Sequence, residues 1–334
     1  MELQKNKSKK RIVLTVIILI VLGFSVYNTN QTTQGKIKIG VIAPLSGFLA
    51  DYGEEVKKGV LAVQDPNIEF IFEDDKCEPK EAVSAFKKLT EVDKVHYVIG
   101  PACGSPQEAI VPLLKNSKNI VVVPSAASRT LYETSGGNFY NMQYALEDES
   151  KFIAEQMYAR GYKKVVLISY QNAFSKTHYD SFKANYKGTI VHEISYPDNT
   201  TDVSSELVKI RKGDYDAIFS TDIAFFFGQG VARLTQLGIK APIFSQYAVE
   251  LPAVRELVEG VYYSFPGNIA DGQGAVAGLS LQSAELLSKA FKSCGDTYVC
   301  VKEYINKDGF DTTGAKVREL VLKKIERGSP VVVK

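Results

Sequence analysis

Two clusters of small and hydroxyl residues follow consecutive apolar runs, and their residue types suit the binding of an anion. The run from Val95 to Ile99 ends at Gly100-Pro101, and a helical pattern then begins at Gly104-Ser105-Pro106. The next run, Ile120 to Val123, ends at Pro124-Ser125. A helix N-terminus offers unpaired N–H groups and the positive end of the helix dipole, which suit a carboxylate. The alternative is that these clusters only mark the ends of two strands.

Apolar runs alternate with helical patterns over most of the chain. The first series has strand-like runs at 37–42, 68–72, 95–99 and 120–123, with helical patterns at 52–63 and 79–92. The second series starts near Glu147, with strand-like runs at 165–169, 189–194, 217–220, 243–244 and 261–264. Such alternation predicts parallel sheets covered by helices on both faces. The sequence therefore predicts an α/β fold of two similar lobes, with ligands expected beyond the carboxyl ends of the strands.

The helical patterns of the second series lie at 150–160, 174–185, 202–212, 224–237, 253–258 and 276–292. The final segment, Val317 to Val333, is open to two interpretations. Its apolar residues fit one helix face, but Arg327-Gly328-Ser329-Pro330 between apolar runs favours a hairpin turn.

Length and charge limit the class of protein. The chain has 334 residues, of which 45% are hydrophobic, and this is enough for two domains. Its 40 basic and 38 acidic residues leave a net charge of +2. This balance gives no basis for a nucleic-acid partner.

The N-terminus has the pattern of an export signal. Basic residues at 5–11 precede an apolar run from Ile12 to Val26, and a polar stretch follows. The run is shorter than the ~20 residues that span a bilayer, which favours a signal peptide. No small-x-small cleavage site follows Gly23, and no cysteine follows the run to carry a lipid. Cleavage and retention of residues 12–27 as a membrane anchor therefore both stay open.

The four cysteines fall into a wide pair and a close pair, Cys77 with Cys103 and Cys294 with Cys300. An even number of cysteines agrees with export. Neither pair has C-x-x-C spacing, and the three histidines are scattered. We therefore expect no metal site.

Motifs for catalysis are absent from the sequence. It contains no G-x-S-x-G, no phosphate-binding loop of the P-loop type and no H-E-x-x-H. Gly272-Gln273-Gly274 lacks the acidic partner of a dinucleotide loop and is interpreted as a turn. We expect neither enzymatic activity nor a cofactor.

Several segments resemble the leucine/isoleucine/valine-binding proteins, the type I periplasmic binding proteins of ABC importers. They are IKIGVIAPLSGFLADYG at 37–53, DDKCEPKEAV at 74–83, YVIGPAC at 97–103, PSAA at 124–127 and GVYY at 260–263. The resemblance extends over about residues 36 to 334 and is most specific in the first hundred of them. Family members with cysteines at these places bridge them, which implies a Cys77–Cys103 disulfide.

The resemblance implies two Rossmann-like lobes with parallel-sheet cores, joined by a hinge of three crossovers. After the N-terminal segment 1–35, lobe 1 would comprise residues 36–145 and 264–312, and lobe 2 residues 146–263 and 313–334. Such a protein would work outside the cytoplasm and deliver its ligand to the permease of an ABC importer.

By position, the resemblance implies a set of ligand-binding residues. Tyr52 lies at the tip of the first loop, and Gly104 and Ser105 offer an amide and a hydroxyl to a ligand carboxylate. Ser125, Ala127 and Ser128 follow the next strand. From the second lobe come Phe174, Asp222 and Tyr247.

Departures from the family pattern concern the charge of the ligand. Ala127 replaces a threonine, and Tyr247 occupies the place of the acid that pairs with a ligand ammonium. Asp222 is the candidate for the missing charge, and its alternative role is a helix N-cap. Ser105 has the same alternative role, Tyr52 has that of a surface aromatic and Phe174 that of a core residue.

These features predict an extracytoplasmic solute-binding protein, with a branched-chain or other apolar amino acid as the leading ligand. An amide or a carboxylate without an amine is the alternative ligand, because an unpaired buried ammonium is costly. A sensory receptor module built from the same lobes is the alternative class of protein.

Overall fold

The computed structural model describes residues 36–197, 200, 202–221, 230–267, 269 and 274–333. These residues form two separate β-sheets. The strands are β1 Ile37–Ala43, β2 Ile68–Asp74, β3 Tyr97–Ile99, β4 Ile120–Val123, β5 Phe139–Asn141, β6 Lys164–Tyr170, β7 Thr189–Tyr196, β8 Ala217–Ser220, β9 Ile243–Ser245, β10 Tyr262–Pro266, β11 Leu320–Glu326 and β12 Ser329–Val332.

The helices cover both sheets and are also numbered in chain order. They are α1 Ala50–Leu61, α2 Pro79–Lys87, α3 Gly104–Leu114, α4 Thr130–Thr134, α5 Leu146–Ala159, α6 Ala173–Asn185, α7 Ser204–Lys209, α8 Gly230–Gln236, α9 Pro252–Arg255, α10 Ala275–Cys294 and α11 Tyr298–Lys307. A single 3₁₀ turn, Tyr247–Glu250, follows β9 among the described residues.

The first sheet has the strand order β2-β1-β3-β4-β5, and we call it and its covering helices lobe 1. The pairs β1–β3, β3–β4 and β4–β5 are parallel. Strands β3 and β4 are buried along their whole length, as apolar runs predict for a sheet covered on both faces. Gly100 continues β3 at a φ of +91°, where an added Cβ would stand 2.0 Å from the Ile42 carbonyl oxygen, so that only glycine fits.

The second sheet has the order β12-β11-β10-β9-β8-β6-β7, and we call it and its helices lobe 2. The pairs from β7 through β6, β8 and β9 to β10 are parallel, whereas β11 and β12 form an antiparallel hairpin at the edge. This hairpin confirms the turn predicted at Arg327-Gly328. The two sheets confirm the predicted α/β class.

The chain passes between the sheets three times. It leaves lobe 1 after β5, returns after β10, where α10 packs against α1, and joins β11 last. The lobe boundaries at 145/146, 263/264 and 312/313 stay a prediction. Strand β10 continues to Pro266 in lobe 2, and the Lys316 amide still bonds the Asn141 carbonyl of lobe 1.

The sequence predicted one helix with an apolar face over residues 79–92, and this prediction is wrong at the C-terminal end. Helix α2 stops at Lys87, and a π-helical turn, Lys88–Val92, follows it. A π turn holds more residues than an α turn and therefore rotates the last side chain away from this face. Phe86 and Leu89 are buried as predicted, whereas Val92 is 70% exposed.

Other helix bounds differ by a few residues from the sequence pattern. Helix α7 occupies only Ser204–Lys209 of the predicted 202–212, and α9 is Pro252–Arg255, which begins one residue before the predicted 253–258 and ends three residues earlier. The first part of the pattern at 224–237, the turn at 272–273 and the N-terminal segment 1–35 lie outside the described residues. None of the described helices is both long and apolar enough to cross a bilayer.

Candidate functional site

A cavity of about 330 Å³ lies between the carboxyl ends of the strands of the two sheets. Its lobe 1 wall consists of Phe48, Leu49, Tyr52, Cys77, Ala102, Cys103, Gly104, Ser105, Ser125 and Ala126. Its lobe 2 wall consists of Tyr170, Asn172, Phe174, Ser175, Thr221, Gln246, Tyr247 and Ala248. Tyr170 is the last residue of β6. The others lie in the loops that follow β1, β2, β3, β4, β6, β8 and β9, or at the start of the next helix. This is the place where open α/β sheets collect ligands.

The lobe 1 wall presents hydrogen-bond donors. Helix α3 begins at the lining residue Gly104, and no side chain caps its first turn, so its leading N–H groups have no side-chain acceptor there. The Gln107 amide nitrogen donates to Ser125 Oγ over 2.7 Å and to the Pro101 carbonyl over 3.1 Å. Ser125 Oγ accepts this bond and also lies beside the Tyr52 hydroxyl, where it offsets part of the rise in pKa that burial causes, so Gln107 and Tyr52 together hold the Ser125 hydroxyl at the cavity. The arrangement suits a carboxylate.

The two lobes touch across the cavity at two places. The Tyr52 and Tyr247 hydroxyl oxygens are 3.2 Å apart. A Cβ added to Gly104 would lie 3.1 Å from the Phe174 ring, so the α3 N-terminus and the α6 N-terminus approach each other closely. The cleft is therefore narrow at both contacts.

The lobe 2 wall contains two capped turns and one hydroxyl group that has no hydrogen-bond partner among the described residues. The Asn172 side chain caps α6 by accepting from the Ser175 amide, and the Gln246 side chain caps the 3₁₀ turn by accepting from the Ala248 amide. Thr221 Oγ1 is buried and has no partner among the described residues. A buried hydroxyl without a partner is costly, so Thr221 is a candidate to bond a ligand.

The described lining contains no charged side chain. It is rich in aromatic groups, since Phe48, Tyr52, Tyr170, Phe174 and Tyr247 all contribute. Burial raises the pKa of Tyr52 to about 12. The lining therefore offers apolar surface and neutral hydrogen-bonding groups.

Two buried carboxyl groups lie behind the walls. Asp75 accepts from the Cys77 amide, and burial raises its pKa to about 6. Glu149, in the first turn of α5, accepts from the Tyr144 hydroxyl, and burial raises its pKa to about 7. Each keeps one carboxyl oxygen without a partner among the described residues.

The structure brings together six of the nine predicted ligand residues. Tyr52, Gly104, Ser105, Ser125, Phe174 and Tyr247 all line the cavity. Their roles toward a ligand stay a prediction.

The other three predicted residues are not found in the described lining. Ala127 is packed in the core of lobe 1, and the Ser128 hydroxyl donates to Glu147 over 2.8 Å, so both face other groups. Asp222 lies outside the described residues. The alternative that Ser105 is an N-cap is also wrong, because the N-cap position is Cys103.

Sequence reasoning missed Gln107, Thr221, Gln246 and Glu149. Thr221 and Gln246 directly follow β8 and β9, and strand-end position was the signal that could have found them. Gln107 and Glu149 lie within helical turns, where no sequence signal shows which face meets the site.

Both cysteine pairs form disulfides. Cys77 is bonded to Cys103 with Cα atoms 5.6 Å apart, and Cys294 to Cys300 with Cα atoms 5.5 Å apart. The first disulfide lines the cavity and ties the loop after β2 to the start of α3. Within the described ranges, no group of three or more His, Cys, Asp or Glu side chains is placed to hold a metal ion.

The sequence of the chain is similar to known ligand-binding proteins. The family model described as "Periplasmic binding protein" matches residues 36–280. An amino acid binding protein of Pseudomonas aeruginosa is 24% identical over 283 residues, which are 78% of this chain and 75% of the relative. The Leu/Ile/Val-binding protein BraC3 of Rhizobium johnstonii is 26% identical over 201 residues, 56% of this chain, and the match spans about half of the relative (54%).

Solved structures share the fold. The branched-chain amino acid binding protein LivJ of Streptococcus pneumoniae, in complex with isoleucine, superposes with a TM-score of 0.79 at 23% identity, covering 90% of this chain and 99% of that one. A solute-binding protein from R. palustris in complex with benzoate gives a TM-score of 0.78 at 18% identity, covering 90% and 96%.

The match over residues 36–280, the two sheets and the cavity between them together support one assignment. The chain belongs to the periplasmic binding protein family, whose members are extracytoplasmic binders of small solutes and not enzymes.

Proposed function

We propose that this protein captures a small ligand with a carboxylate and an apolar group, and hands it to an ABC importer. The observation that carries the proposal is the cavity itself, with the uncapped α3 N-terminus and Ser125 on one wall and Phe174 and Tyr247 on the other. The donors suit the carboxylate and the aromatic rings suit the apolar group. The leading ligand is a branched-chain or other apolar amino acid, as the names of the relatives suggest.

A second ligand class is favoured by one specific observation. The described lining has no acidic side chain to pair with an ammonium group, whereas it has five aromatic residues. A carboxylate or an amide that carries no amine would leave no ammonium group unpaired in this cavity. The benzoate complex of the R. palustris protein is an example of such a ligand in the same fold.

A thermal-shift screen of the purified full-length chain tests the ligand class. We expect L-leucine, L-isoleucine or L-valine to raise the melting temperature by several degrees. Saturation at ~100 times the dissociation constant adds about 2.7 kcal/mol to the free energy of unfolding. Benzoate and a short aliphatic amide form the second arm. A shift in that arm alone would replace the leading ligand by the second class, and no shift in either arm would contradict the proposed ligand.

The close approach of Gly104 and Phe174 gives a second prediction. We expect Gly104→Val to weaken binding of the amino acid found in the screen by about tenfold or more, because the Phe174 ring must retreat before the lobes can close. Isothermal titration calorimetry measures the change.

Phe174→Ala removes the obstructing ring and gives the matched control. In the Gly104→Val/Phe174→Ala double variant, the valine should cost less affinity than it does in the wild-type background. Equal losses in both backgrounds would show that the cleft does not close onto Phe174.

The importer and the membrane attachment belong to the proposal. The permease would recognise the closed lobes, as hinge closure is the transition expected of periplasmic binding proteins. Residues 12–27 would direct export and, if uncleaved, tether the protein. The intact mass of the exported protein measures whether this segment is retained.

A further inference from the structure

Glu149 lies directly behind the lobe 2 wall of the cavity. Its side chain is 1% exposed, and its Oε1 atom accepts from the Tyr144 hydroxyl over 2.9 Å and from Ser264 Oγ. The backbone of Tyr247 lies close to this carboxyl group and offsets part of the rise in its pKa that burial causes. Because Tyr247 lines the cavity, only one residue separates the carboxyl group from a ligand.

The second carboxyl oxygen of Glu149 has no hydrogen-bond partner among the described residues. It faces His178 Nε2 at 3.7 Å. The other ring nitrogen of His178 lies 2.7 Å from Ser150 Oγ, and the His178 ring packs edge-on against Phe174. Burial lowers the pKa of His178 to about 3, so the ring is neutral. Among the described residues of this wall, the ionised carboxylate therefore has no positive partner.

An unpaired charge in a buried place acts over a longer distance than a charge in water, because the surroundings screen it weakly. The described lining has no charge of its own that could oppose this field. A ligand with a positive group would compensate an ionised Glu149. A ligand that carries only a carboxylate would be repelled by it.

We propose that Glu149 determines the specificity of the cleft. As a carboxylate it supplies the negative charge that the described part of the lining lacks and favours a ligand with an ammonium group. As a carboxylic acid it removes that charge and favours a carboxylate without an amine. This inference rests on the proposed function, and it assigns the counter-charge to a residue behind Tyr247.

The groups that face Glu149 restrict what can titrate. Tyr144 and Tyr247 have pKa values raised well above the usual range by burial, so they stay neutral, and Ser264 does not ionise. His178 is neutral above about pH 3. Asp75 lies behind the opposite wall, next to Tyr52, and burial raises its pKa to about 6, so it needs a separate variant.

The test compares two probes that keep their charges between pH 5.5 and 8. Calorimetry gives the dissociation constants of L-isoleucine and benzoate for the full-length protein at about pH 5.5 and about pH 8. We expect the ratio of the benzoate constant to the isoleucine constant to rise about tenfold from the lower to the higher pH. In the Glu149→Gln variant, the same ratio should stay near the wild-type value for the lower pH at both pH values.

Two further variants serve as controls. Glu155→Gln makes the same chemical change at an exposed position of α5 and should keep the wild-type rise in the ratio. Asp75→Asn should also keep it. The inference is overturned if the wild-type ratio does not change with pH, whatever the variants show. It is also overturned if the Asp75→Asn variant loses the rise in the ratio.

The outcome also separates this inference from the proposed function. If both probes bind and the ratio of their dissociation constants is the same at both pH values, the protein is still a carboxylate-binding protein and Glu149 has no role in specificity. If neither probe binds at either pH, the proposed ligand classes are wrong and the inference falls with them.

Discussion

Glu149→Gln and His178→Gln are expected to change the pH dependence of stability in opposite directions. Burial raises the pKa of Glu149 from 4.5 to about 7, so its contribution to the free energy of unfolding is full below pH 4.5 and is lost as the pH rises through 7. Burial lowers the pKa of His178 from 6.5 to about 3, so its contribution is full above pH 6.5 and is lost as the pH falls through 3.

In the wild type, these two slopes oppose each other between pH 4.5 and 6.5. Relative to the wild type, Glu149→Gln should gain about 3 kcal/mol across this interval, and His178→Gln should lose about 3 kcal/mol. Titrating groups outside this pair contribute equally to the wild type and to each variant, so they do not change the comparison.

Urea denaturation at several pH values measures this effect. The sequence has no tryptophan, so far-UV circular dichroism is the suitable signal. Glu155→Gln, on the same helix but exposed, should run parallel to the wild type. Parallel curves for all three variants would show that the pKa values of Glu149 and His178 do not differ between the folded and the unfolded state.

Removal of the Cys77–Cys103 disulfide is expected to cost both stability and affinity. The bond spans 26 residues, and the chain-entropy relation gives a loss of about 3.5 kcal/mol when both cysteines are replaced by serine. Both cysteines line the cavity, and Cys103 is the N-cap residue of α3. We therefore expect the ligand to bind several-fold more weakly as well, because the donors at Gly104 and Ser105 lose their fixed position.

The second disulfide supplies the matched control. Cys294 and Cys300 are separated by six residues in sequence, and neither residue lines the cavity. Replacing both by serine should cost about 2.4 kcal/mol and leave the dissociation constant unchanged. Calorimetry and urea denaturation of the two double variants give both quantities. An equal loss of affinity in the two variants would mean that the Cys77–Cys103 bond stabilises the fold without organising the site.

The carboxylate side of the site was predictable because strands end in recognisable ways. Gly100-Pro101 and Pro124-Ser125 mark the ends of β3 and β4, and parallel strands place such ends at one edge. Helix α3 could be predicted from Gly104 onwards for the same reason. The partner residue Phe174 required the family resemblance, because an aromatic residue at a helix start is usual in a core as well.

The opposite side was not predictable from residue types. Glu149 ends an acidic run, Glu147-Asp148-Glu149, at the start of α5, where acidic residues usually lie in solvent and interact with the helix dipole. Only the packing of α5 against α6 and β10 shows that the third acid of the run is buried. The exposure of Val92 escaped prediction for a similar reason, since a π-helical turn has no clear sequence pattern.

The three passages of the chain between the lobes also govern how the protein can fold. Helix α10 covers the first sheet, yet it lies far from that sheet in sequence: the Ser288 hydroxyl bonds Asp65 across 223 residues. Hydrogen-bonded pairs this distant form late, because closing a long loop costs entropy before any contact repays it. A nascent chain that holds only the first lobe's strands therefore lacks the helix that covers them. We therefore expect the first lobe to become stable only after α10 has been synthesised.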